Sequence, residues 1–376
     1  MAEKITMNKE FEQKPNREVE RKFLPLFPEN LQLFREYTEP IEQLYLSHPS
    51  EQYSLRLRQT SKNGELVYHA TLKDTGRVTA EGLDRLEIET EISQETYEYY
   101  RSPELPVIRK LRAETAQGVV IDWFEDGHIQ AEAEGKYGWE SFVGRYNLTN
   151  QFIEVTGDSQ ANNEWRAHYQ HRLQNEGREA LVPKPPLNIE AICESLRYRN
   201  GQPTVVRIMG RSGSGKSTIV TELQNRLLQD GTESVVLSTD DYNKGKRFLD
   251  AHKGEPWDNW DDPFVYDTAQ AAADIDRLLA GEFVARTRFD FSAQEPVIDG
   301  VIEAAPVIIV EGIYSKAPEI VRKAHLAYTV PTSLATSIGR RLARDFSGER
   351  INESLPTPHA TLRHILEKAE PAYRAQ

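Results

Sequence analysis

Glu18, Glu20 and Lys22 stand at every second position of the segment REVERKF. Side chains two residues apart lie on the same face of a β-strand, so this face has two carboxylates and an ammonium group, while the opposite face is partly apolar. Clustered carboxylates are oxygen ligands for Mg²⁺ or Mn²⁺, and an ammonium group attracts phosphate oxygens. The pattern predicts either a solvent-exposed strand or a site that binds an anion together with a divalent cation.

The charged face recurs in further strand-like segments of the first half of the chain. Its charged positions are Arg56, Arg58, Lys73, Arg85, Glu87, Glu89, Glu91, Lys110, Arg112, Glu132 and Glu134. Like charges along one strand repel each other, so solvent exposure does not explain why residues of one sign stand together. We therefore predict that the sheet closes into a barrel with a charged interior and that helices cover part of its apolar outside. A polyphosphate with a divalent metal ion satisfies both sets of charges.

These segments resemble the CYTH domain of the triphosphate tunnel metalloenzymes. The resemblance begins with the Glu-x-Glu-x-Lys motif and continues through IEQLYLS, LRLRQ, TLKD, LEIETEI, KLR, AEAEGK and EVTGD, over about residues 15–170. It implies an α+β domain whose antiparallel β-barrel forms a tunnel for a triphosphate, with Mg²⁺ or Mn²⁺ as cofactor. The implied metal ligands are Glu18, Glu20, Glu132 and Glu134, with Glu89 and Glu154 as further members. The implied phosphate-binding residues are Arg56, Arg58, Lys73, Arg85, Lys110 and Arg112, and the implied catalytic pair near the attacking water is Lys22 and Tyr45.

The tunnel residues leave the substrate open among triphosphates. The resemblance favours hydrolysis of inorganic tripolyphosphate, with a nucleoside triphosphate as a second substrate class. Two alternatives remain: cyclisation of ATP to cyclic AMP, and a sensor that binds a polyphosphate or nucleotide and regulates the second half of the chain. Carboxylates placed among the cations favour catalysis over pure anion binding, because an anion alone needs no carboxylate.

A P-loop pattern, Gly-x4-Gly-Lys-Ser, lies in the segment GRSGSGKST after an apolar strand and before a helix. In such a loop the glycines let backbone N–H groups face the phosphates, Lys216 reaches the β- and γ-phosphate oxygens, and the Ser217 hydroxyl ligates Mg²⁺. ATP is therefore predicted as phosphoryl donor. The predicted ATP-binding residues of the loop are Gly210, Gly213, Gly215, Lys216, Ser217 and Thr218.

Two further apolar strands of the second half end in acidic residues. SVVLST is followed by Asp240, and APVIIV by Glu311. The carboxyl ends of parallel strands gather at the ligand-binding edge of a sheet. We therefore predict that Asp240 accepts the proton of a substrate hydroxyl or holds Mg²⁺ through water, and that Glu311 is a metal ligand.

An arginine-rich segment, GRRLARDFSGER, is either a solvated helix face or a lid that closes over the transferred phosphoryl group. Its arginines are Arg340, Arg341 and Arg344, with Arg350 following. We assign Arg344 to ATP binding, because its neighbour Asp345 can fix the orientation of the guanidinium group.

The segments GRSGSGKST, LSTDDYN, WDNWDDPFVYD, RFDF, VEGIY and RRLARD resemble the uridine kinase and phosphoribulokinase group of P-loop kinases, over about residues 203–350. The resemblance implies that Asp261 binds the ribose of the acceptor. Uridine kinases carry a Tyr and a His in a YDF..H stretch, where this chain has Phe289 and Gln294. Uridine itself is therefore doubtful, because a buried site that hydrogen-bonds its substrate discriminates strongly. The resulting prediction is an ATP-dependent kinase for a small hydroxylated acceptor.

The organisation of the chain follows from its length and composition. A chain of 376 residues exceeds one typical core, and the stretch EGREALVPKPPLNIEA contains three prolines that mark a connector. We predict a barrel domain over 1–175, a linker over 176–200, and an α/β P-loop domain with a parallel sheet over 201–376. The net charge of −13 argues against non-specific binding to nucleic acid or to a membrane. A single cysteine and the lack of a long apolar run predict a cytoplasmic protein, and homo-oligomer formation stays open.

Overall fold

The computed structural model describes residues 16–62, 64–197, 199, 202–255, 259–346 and 355–375. The chain divides into two compact units, Met1–Val182 and Pro183–Gln376. Within the described ranges, no helix combines the length and the apolar character that crossing a membrane requires.

The first unit is built mainly from antiparallel strands. These are β1 (Arg17–Pro25), β2 (Glu39–Tyr45), β3 (Tyr53–Lys62), β4 (Glu65–Asp74), β5 (Arg77–Val78), β6 (Leu83–Glu91), β7 (Val107–Glu114), β8 (Val119–Phe124), β9 (Ile129–Glu134) and β10 (Phe152–Glu154). Its α-helices are α1 (Gln94–Tyr100), α2 (Gly135–Arg145) and α3 (Asn163–Gln174), and 3-10 helices cover Pro28–Tyr37 and Ser159–Ala161.

Eight of these strands close into a barrel. Hydrogen bonds join them in the order β1-β9-β8-β7-β2-β3-β4-β6, and β6 pairs again with β1, with Glu18 opposite Arg85. The short strands β10 and β5 extend the sheet beside β1 and β6. Strand alternation turns one residue in two to the interior. The predicted antiparallel barrel is confirmed.

The apolar faces of the strands point outward and are covered. Phe23 of β1 stacks on Trp139 of α2 with ring centroids 3.5 Å apart. Leu31 and Phe34 of the 3-10 helix pack in the same core with Phe142 of α2. Burial of apolar surface is the main favourable term in folding, so the apolar strand faces are held in this outer core. The opposite, charged faces of the strands therefore point into the barrel.

The second unit is an α/β layer structure around a parallel sheet. Its strands are β11 (Thr204–Met209), β12 (Ser234–Ser238), β13 (Val284–Asp290), β14 (Glu295–Ile302), β15 (Val307–Glu311) and β16 (Leu326–Thr329). Its α-helices are α4 (Ile189–Arg197), α5 (Lys216–Gln229), α6 (Lys246–Ala251), α7 (Thr268–Leu279), α8 (Pro318–Val321), α9 (Leu334–Asp345), α10 (Pro358–His364) and α11 (Glu370–Ala375). A π-helical turn over Ile365–Ala369 joins the last two, and short 3-10 helices cover Thr239–Tyr242, Pro263–Val265 and Ile313–Lys316.

The parallel sheet has the order β12-β15-β11-β16, and β13 and β14 form a separate antiparallel hairpin. One face of the sheet packs on α4 and α5, where Ile192 and Leu223 are buried. The other face packs on α7 through Ile275 and Leu278. The predicted parallel α/β fold is confirmed, and α4 lies within the span 176–200 that the sequence suggested as a linker.

Candidate active sites

The barrel interior contains alternating carboxylates and cations. Glu18 Oε1 accepts hydrogen bonds from Lys73 Nζ at 2.6 Å and from Arg85 Nε at 2.5 Å. A second nitrogen of Arg85 donates to Glu20 Oε1 at 2.7 Å. Burial and the neighbouring Arg85 charge lower the pKa of Lys73. The structure therefore brings these four predicted residues, from three strands, into one network.

Lys22 lies between two predicted metal ligands. Its Nζ is 3.4 Å from Glu20 Oε1 and 3.6 Å from Glu132 Oε1. Burial favours the protonated form of Glu132, but the charges of Lys22, Lys110 and Arg112 outweigh it and hold its pKa well below the usual value. Glu132 is therefore an anionic group within the barrel, despite its burial.

Arg56 and Arg58 share the carboxylate of Glu89. Arg58 Nη2 donates to Glu89 Oε1 at 2.7 Å, and Arg56 Nη2 is 3.6 Å from Glu89 Oε2. Burial, together with the charge of Arg56, lowers the pKa of Arg58 to about 10. Two guanidinium groups held this close repel each other, and an anionic ligand between them would reduce that repulsion.

Lys110 and Arg112 are both anchored by Asp122, a residue that the sequence analysis missed. Lys110 Nζ lies 2.5 Å from Asp122 Oδ2, and Arg112 makes two hydrogen bonds of 2.7 Å to the same carboxylate. Burial and the Arg112 charge lower the pKa of Lys110 to about 8, although Asp122 opposes the shift. An acidic residue inside the apolar run VVIDWF was the available signal, because a buried strand position tolerates a carboxylate only when it is paired.

One end of the barrel is closed by α3. Ala167 of this helix packs against the inward-facing Tyr45, Ile108 and Phe124. Burial raises the pKa of Tyr45, and its hydroxyl donates to Gln43 Oε1 at 3.3 Å. Tyr45 and Lys22 contact different neighbours, so a shared role near a water molecule stays a prediction.

The same end contains a buried carboxyl group on α3. Glu164 is hydrogen-bonded by the Ser47 hydroxyl. Its side chain is turned away from solvent, and burial raises its pKa to about 7. The carboxyl group therefore changes protonation near neutral pH while it contacts Ser47, near the start of the β2–β3 connection.

Two predicted metal ligands lie apart from the paired interior carboxylates. Glu134 is exposed at the end of β9, directly opposite Glu20 in the strand pairing. Glu154 lies in β10, where Arg21 donates to its two carboxylate oxygens at 3.0 and 2.5 Å. Arg21 alternates with the inward residues of β1, so Glu154 is on the outer side of the sheet and is not brought to the interior group.

The carboxylates of the barrel have the donor atoms that a divalent metal ion prefers, but in this structure they pair with lysine and arginine side chains. Hard carboxylate oxygens suit Mg²⁺ and Mn²⁺. Among the described residues, no three His, Cys, Asp or Glu side chains converge as a metal-binding group. Glu18, Glu20 and Glu132 are instead held by lysine and arginine side chains.

The P-loop of the second unit connects β11 to the first turn of α5. Gly213 has φ +79°, and a Cβ there would lie 2.2 Å from the carbonyl oxygen of Ser337, so the turn requires glycine. Lys216 Nζ donates to the carbonyl of Arg211 at 3.1 Å. The loop therefore presents the N-terminus of α5 and an ammonium group to the same cavity, an arrangement suited to phosphate oxygens.

A cavity of about 380 Å³ at the carboxyl edge of the sheet is lined by all the predicted kinase residues except Gly210. It is lined by Gly213, Gly215, Lys216, Ser217, Thr218, Asp240, Asp261, Glu311 and Arg344, together with other residues. Glu311 accepts a hydrogen bond from Ser238 Oγ at 2.8 Å. Burial and the neighbouring Asp240 raise the pKa of Glu311.

Asp261, whose carboxylate is predicted to bind the acceptor substrate, contacts two side chains. His364 Nε2 lies 2.7 Å from Asp261 Oδ2, and Arg341 Nη2 lies 3.3 Å from the same oxygen. Burial opposes ionisation, but the Arg341 charge and the His364 hydrogen bond hold the pKa of Asp261 well below its ordinary value. His364 was missed by the sequence analysis, because it lies more than a hundred residues from its partner in the chain.

An aromatic wall completes the cavity where the resemblance to uridine kinases departs. Phe289 contacts Trp260 edge-to-face with centroids 6.0 Å apart and Phe291 with centroids 5.2 Å apart. Gln294 lines the same cavity. The wall offers a flat apolar surface with an amide group that donates and accepts hydrogen bonds.

The three predicted arginines of α9 lie at the same cavity. Arg340, Arg341 and Arg344 all line the cavity. Arg344 Nε donates to Asp345 Oδ1 at 2.9 Å. Arg350 lies outside the described residues.

Comparison with known proteins identifies both halves. The model of the CYTH domain matches residues 16–122, and the model of the phosphoribulokinase and uridine kinase family matches residues 205–351.

Individual proteins are similar to parts of this chain. A uridine kinase of Leuconostoc citreum is 32% identical over 179 residues, which cover 46% of this chain and 80% of that protein. The inorganic pyrophosphatase TTM2 of Arabidopsis thaliana is 25% identical over 185 residues, which cover 49% of this chain and a quarter (25%) of the plant protein. A crystal structure of the inorganic triphosphatase NE1496 aligns with a TM-score of 0.26 at 23% identity, over 40% of this chain and 93% of that chain.

Proposed function

Because the chain belongs to the phosphoribulokinase and uridine kinase family and also carries a CYTH domain, we propose that it is an enzyme with two separate phosphate-handling sites. The barrel hydrolyses a triphosphate, with inorganic tripolyphosphate as the favoured substrate. The P-loop unit transfers the γ-phosphoryl group of ATP to a small hydroxylated acceptor.

The observation that carries the barrel proposal is the arrangement of its interior charges. Lysines and arginines from β1, β3, β4, β6 and β7 point into one closed barrel, each near a carboxylate. Phosphoryl transfer to water depends mainly on positioning and on charge neutralisation, so a preorganised cationic cage supplies most of what the reaction needs. The carboxylate partners hold these lysine and arginine side chains in position and stabilise their charge when no ligand is bound.

The roles of individual residues follow from their positions. Arg56, Arg58 and Lys110 bind and orient the phosphate chain, while Lys22 stabilises charge near Glu132. Glu18, Glu20 and Glu132 would hold Mg²⁺ or Mn²⁺, which when bound neutralises phosphate charge. Glu134, opposite Glu20, is the further candidate ligand, whereas the position of Glu154 does not support it in this role.

A substrate panel tests the barrel proposal. The purified full chain is incubated with Mg²⁺ or Mn²⁺ and with tripolyphosphate, ATP or pyrophosphate, and phosphate, pyrophosphate and cyclic AMP are measured. The proposal predicts phosphate and pyrophosphate from tripolyphosphate. Cyclic AMP as the main product from ATP would instead assign the barrel as a cyclase, and tight tripolyphosphate binding without any turnover would assign it as a sensor.

The kinase proposal is supported by the cavity beside the P-loop. Asp240 lines the cavity with Lys216, Ser217 and Asp261. In this arrangement Lys216 binds phosphate oxygens, Asp240 accepts the proton of the acceptor hydroxyl, and Asp261 binds acceptor hydroxyl groups. Ser217 and Glu311 are the candidate ligands for the divalent ion that accompanies ATP.

The acceptor is identified by transfer from labelled ATP to a panel of nucleosides and sugars. Phe289 and Gln294 replace polar and titratable groups of the uridine kinase motif, so uridine is expected to be a poor acceptor. Loss of transfer in Lys216→Ala and in Asp240→Asn would attribute the activity to this cavity. Transfer that survives both substitutions would refute the assignment.

A further inference from the structure

The C-terminal segment Pro358–Ala375, comprising α10, a π-helical turn and α11, packs against the P-loop region although it lies beyond the stretch matched by the kinase family model. It contacts two residues of the kinase unit that the sequence motifs singled out. His364 contacts Asp261, as described above, and Glu370 contacts Arg211, the second residue of the P-loop motif. A π-helical turn, a feature often found at functional sites, separates these two contact residues.

The contact between Glu370 and Arg211 is bidentate, and the Glu370 side of it is buried. Arg211 Nε donates to Glu370 Oε2 at 2.8 Å, and Arg211 Nη2 donates to Glu370 Oε1 at 2.9 Å. Only 3% of the surface of Glu370 is exposed, and Arg374 Nε donates to the same carboxylate at 2.7 Å. The aromatic ring of Tyr373 lies 5.3 Å from the Arg211 guanidinium carbon. Bidentate arginine–carboxylate pairs fix orientation as well as contributing energy, so Arg211 is held in one position.

The backbone of Arg211 in turn holds the P-loop lysine. The carbonyl of Arg211 accepts a hydrogen bond from Lys216 Nζ at 3.1 Å and another from the backbone N–H of Ser214 at 3.1 Å. The side chain of Arg211 is turned toward α11, whereas the adjacent Ser212 and Gly213 line the nucleotide cavity. A chain of contacts therefore runs from Glu370 through Arg211 to the ammonium group of Lys216.

We propose that Glu370 is a positioning residue of the P-loop: through Arg211 it sets the loop conformation, and with it the place of the Lys216 ammonium group, so the C-terminal segment determines nucleotide affinity. This inference rests on the proposed ATP-binding function of the same loop. Glu370 itself touches no nucleotide position, since it lies behind the loop with Arg211.

Titration of ATP with Mg²⁺ into the full-length protein tests the proposal. Glu370→Gln keeps the shape of the side chain and removes its charge, and is expected to weaken ATP binding about three- to tenfold, as the loss of one charged contact implies. Glu367→Gln is the matched control, because the Glu367 carboxylate pairs with Arg363 on the same segment. This control is expected to bind ATP like the wild type.

A double-mutant cycle separates positioning from a general structural effect. If Glu370 acts through Arg211, the variant carrying both Arg211→Gln and Glu370→Gln binds ATP no more weakly than Arg211→Gln alone. Thermal unfolding of each variant verifies that the P-loop unit is folded. Wild-type affinity in a folded Glu370→Gln, or losses that multiply in the double variant, would overturn the proposal.

A Lys216→Ala variant distinguishes this inference from the proposed function on which it rests. If the wild type does not bind ATP, or binds it as well without Lys216, the P-loop assignment fails and the inference fails with it. If Lys216→Ala abolishes binding and Glu370→Gln leaves it unchanged, only the positioning role is refuted.

Discussion

Lys110 shows how a single residue in the barrel depends on its surroundings. Its Nζ lies 2.5 Å from Asp122, and both side chains are fully buried. Burial and the charge of Arg112 lower the pKa of Lys110 to about 8. The amine of Lys110 is therefore protonated and charged below that pH and neutral above it. An arginine at this position would stay charged.

The loss of the Lys110 charge with rising pH gives a prediction for anion binding. Without divalent metal, to prevent turnover, tripolyphosphate affinity of the wild type should fall about tenfold between about pH 7 and about pH 9, as the positive charge of Lys110 is lost. Lys110→Arg should fall less over the same range, because guanidinium keeps its charge. Calorimetric titration at each pH measures the tripolyphosphate affinity of both proteins. Protonation of tripolyphosphate affects both equally, so the difference between them reports Lys110. Identical slopes for the two proteins would contradict this role of Lys110.

The residues that sequence could predict were those in a repeated local pattern. Alternation along each strand was enough to place Glu18, Glu20 and Lys22 on one face, and the barrel turns that face inward. Asp122 was missed because it is an isolated acidic residue in an apolar run and belongs to no repeated pattern. Glu370 was missed for a different reason: its partner Arg211 lies 159 positions away, and no local pattern reports such a contact.

At the scale of elements, we expect the stability of α3 to depend on the protonation of one carboxyl group. Glu164 of this helix contacts the Ser47 hydroxyl, and burial raises its pKa from 4.5 to about 7. The nearby charged groups are Glu51, which raises the pKa further, and Arg85, which lowers it. His168, one turn along the helix, contacts the Ser47 carbonyl, and burial lowers the pKa of its imidazole to about 4, so it is neutral at neutral pH.

A raised carboxyl pKa stabilises the folded state where the group is protonated. The contribution is fully present below the unfolded pKa of 4.5 and is lost as the pH rises through about 7. Glu164→Gln, which stays neutral, should therefore match the wild type at low pH. It should exceed the stability of the wild type at higher pH by up to about 3 kcal/mol, as an order of magnitude.

Hydrogen exchange of peptides covering Asn163–Gln174 measures this difference directly. The ratio of wild-type to Glu164→Gln exchange rates at each pH removes the intrinsic pH dependence of exchange. The ratio should be near one below about pH 4.5, should rise between about pH 4.5 and about pH 7 as the buried wild-type carboxyl group becomes charged, and should be constant at higher pH. A ratio that does not change with pH would show that Glu164 is not the group that controls α3.

Element boundaries were harder to predict than element types. The proline-rich stretch suggested a connector over 176–200, yet α4 occupies Ile189–Arg197 and buries Ile192 and Cys193 in the core of the second unit. The segment EVTGD was expected to contribute a charged strand with Glu154 as a metal ligand, but the short strand β10 places Glu154 on the outer side with Arg21. In both cases tertiary packing, which a local pattern does not contain, decides where the side chains lie.

At the scale of the whole molecule, two folds that we propose bind phosphate in different ways share one chain. The barrel would surround an anion with side chains from many strands, whereas the P-loop would present backbone N–H groups and one lysine at a helix N-terminus. The net charge of −13 does not prevent this, because cationic side chains line the barrel interior and the P-loop cavity.

The most direct test of the account is the metal-dependent hydrolysis of tripolyphosphate by three proteins: the wild type, a Glu18→Ala/Glu20→Ala variant and Lys216→Ala. Both substitution sites lie in separate units, so each variant is the control for the other. The account predicts that phosphate release falls at least about a hundredfold in the double glutamate variant and is unchanged in Lys216→Ala. Hydrolysis that survives the glutamate substitutions but disappears with Lys216→Ala would contradict it, because the chemistry would then belong to the P-loop unit.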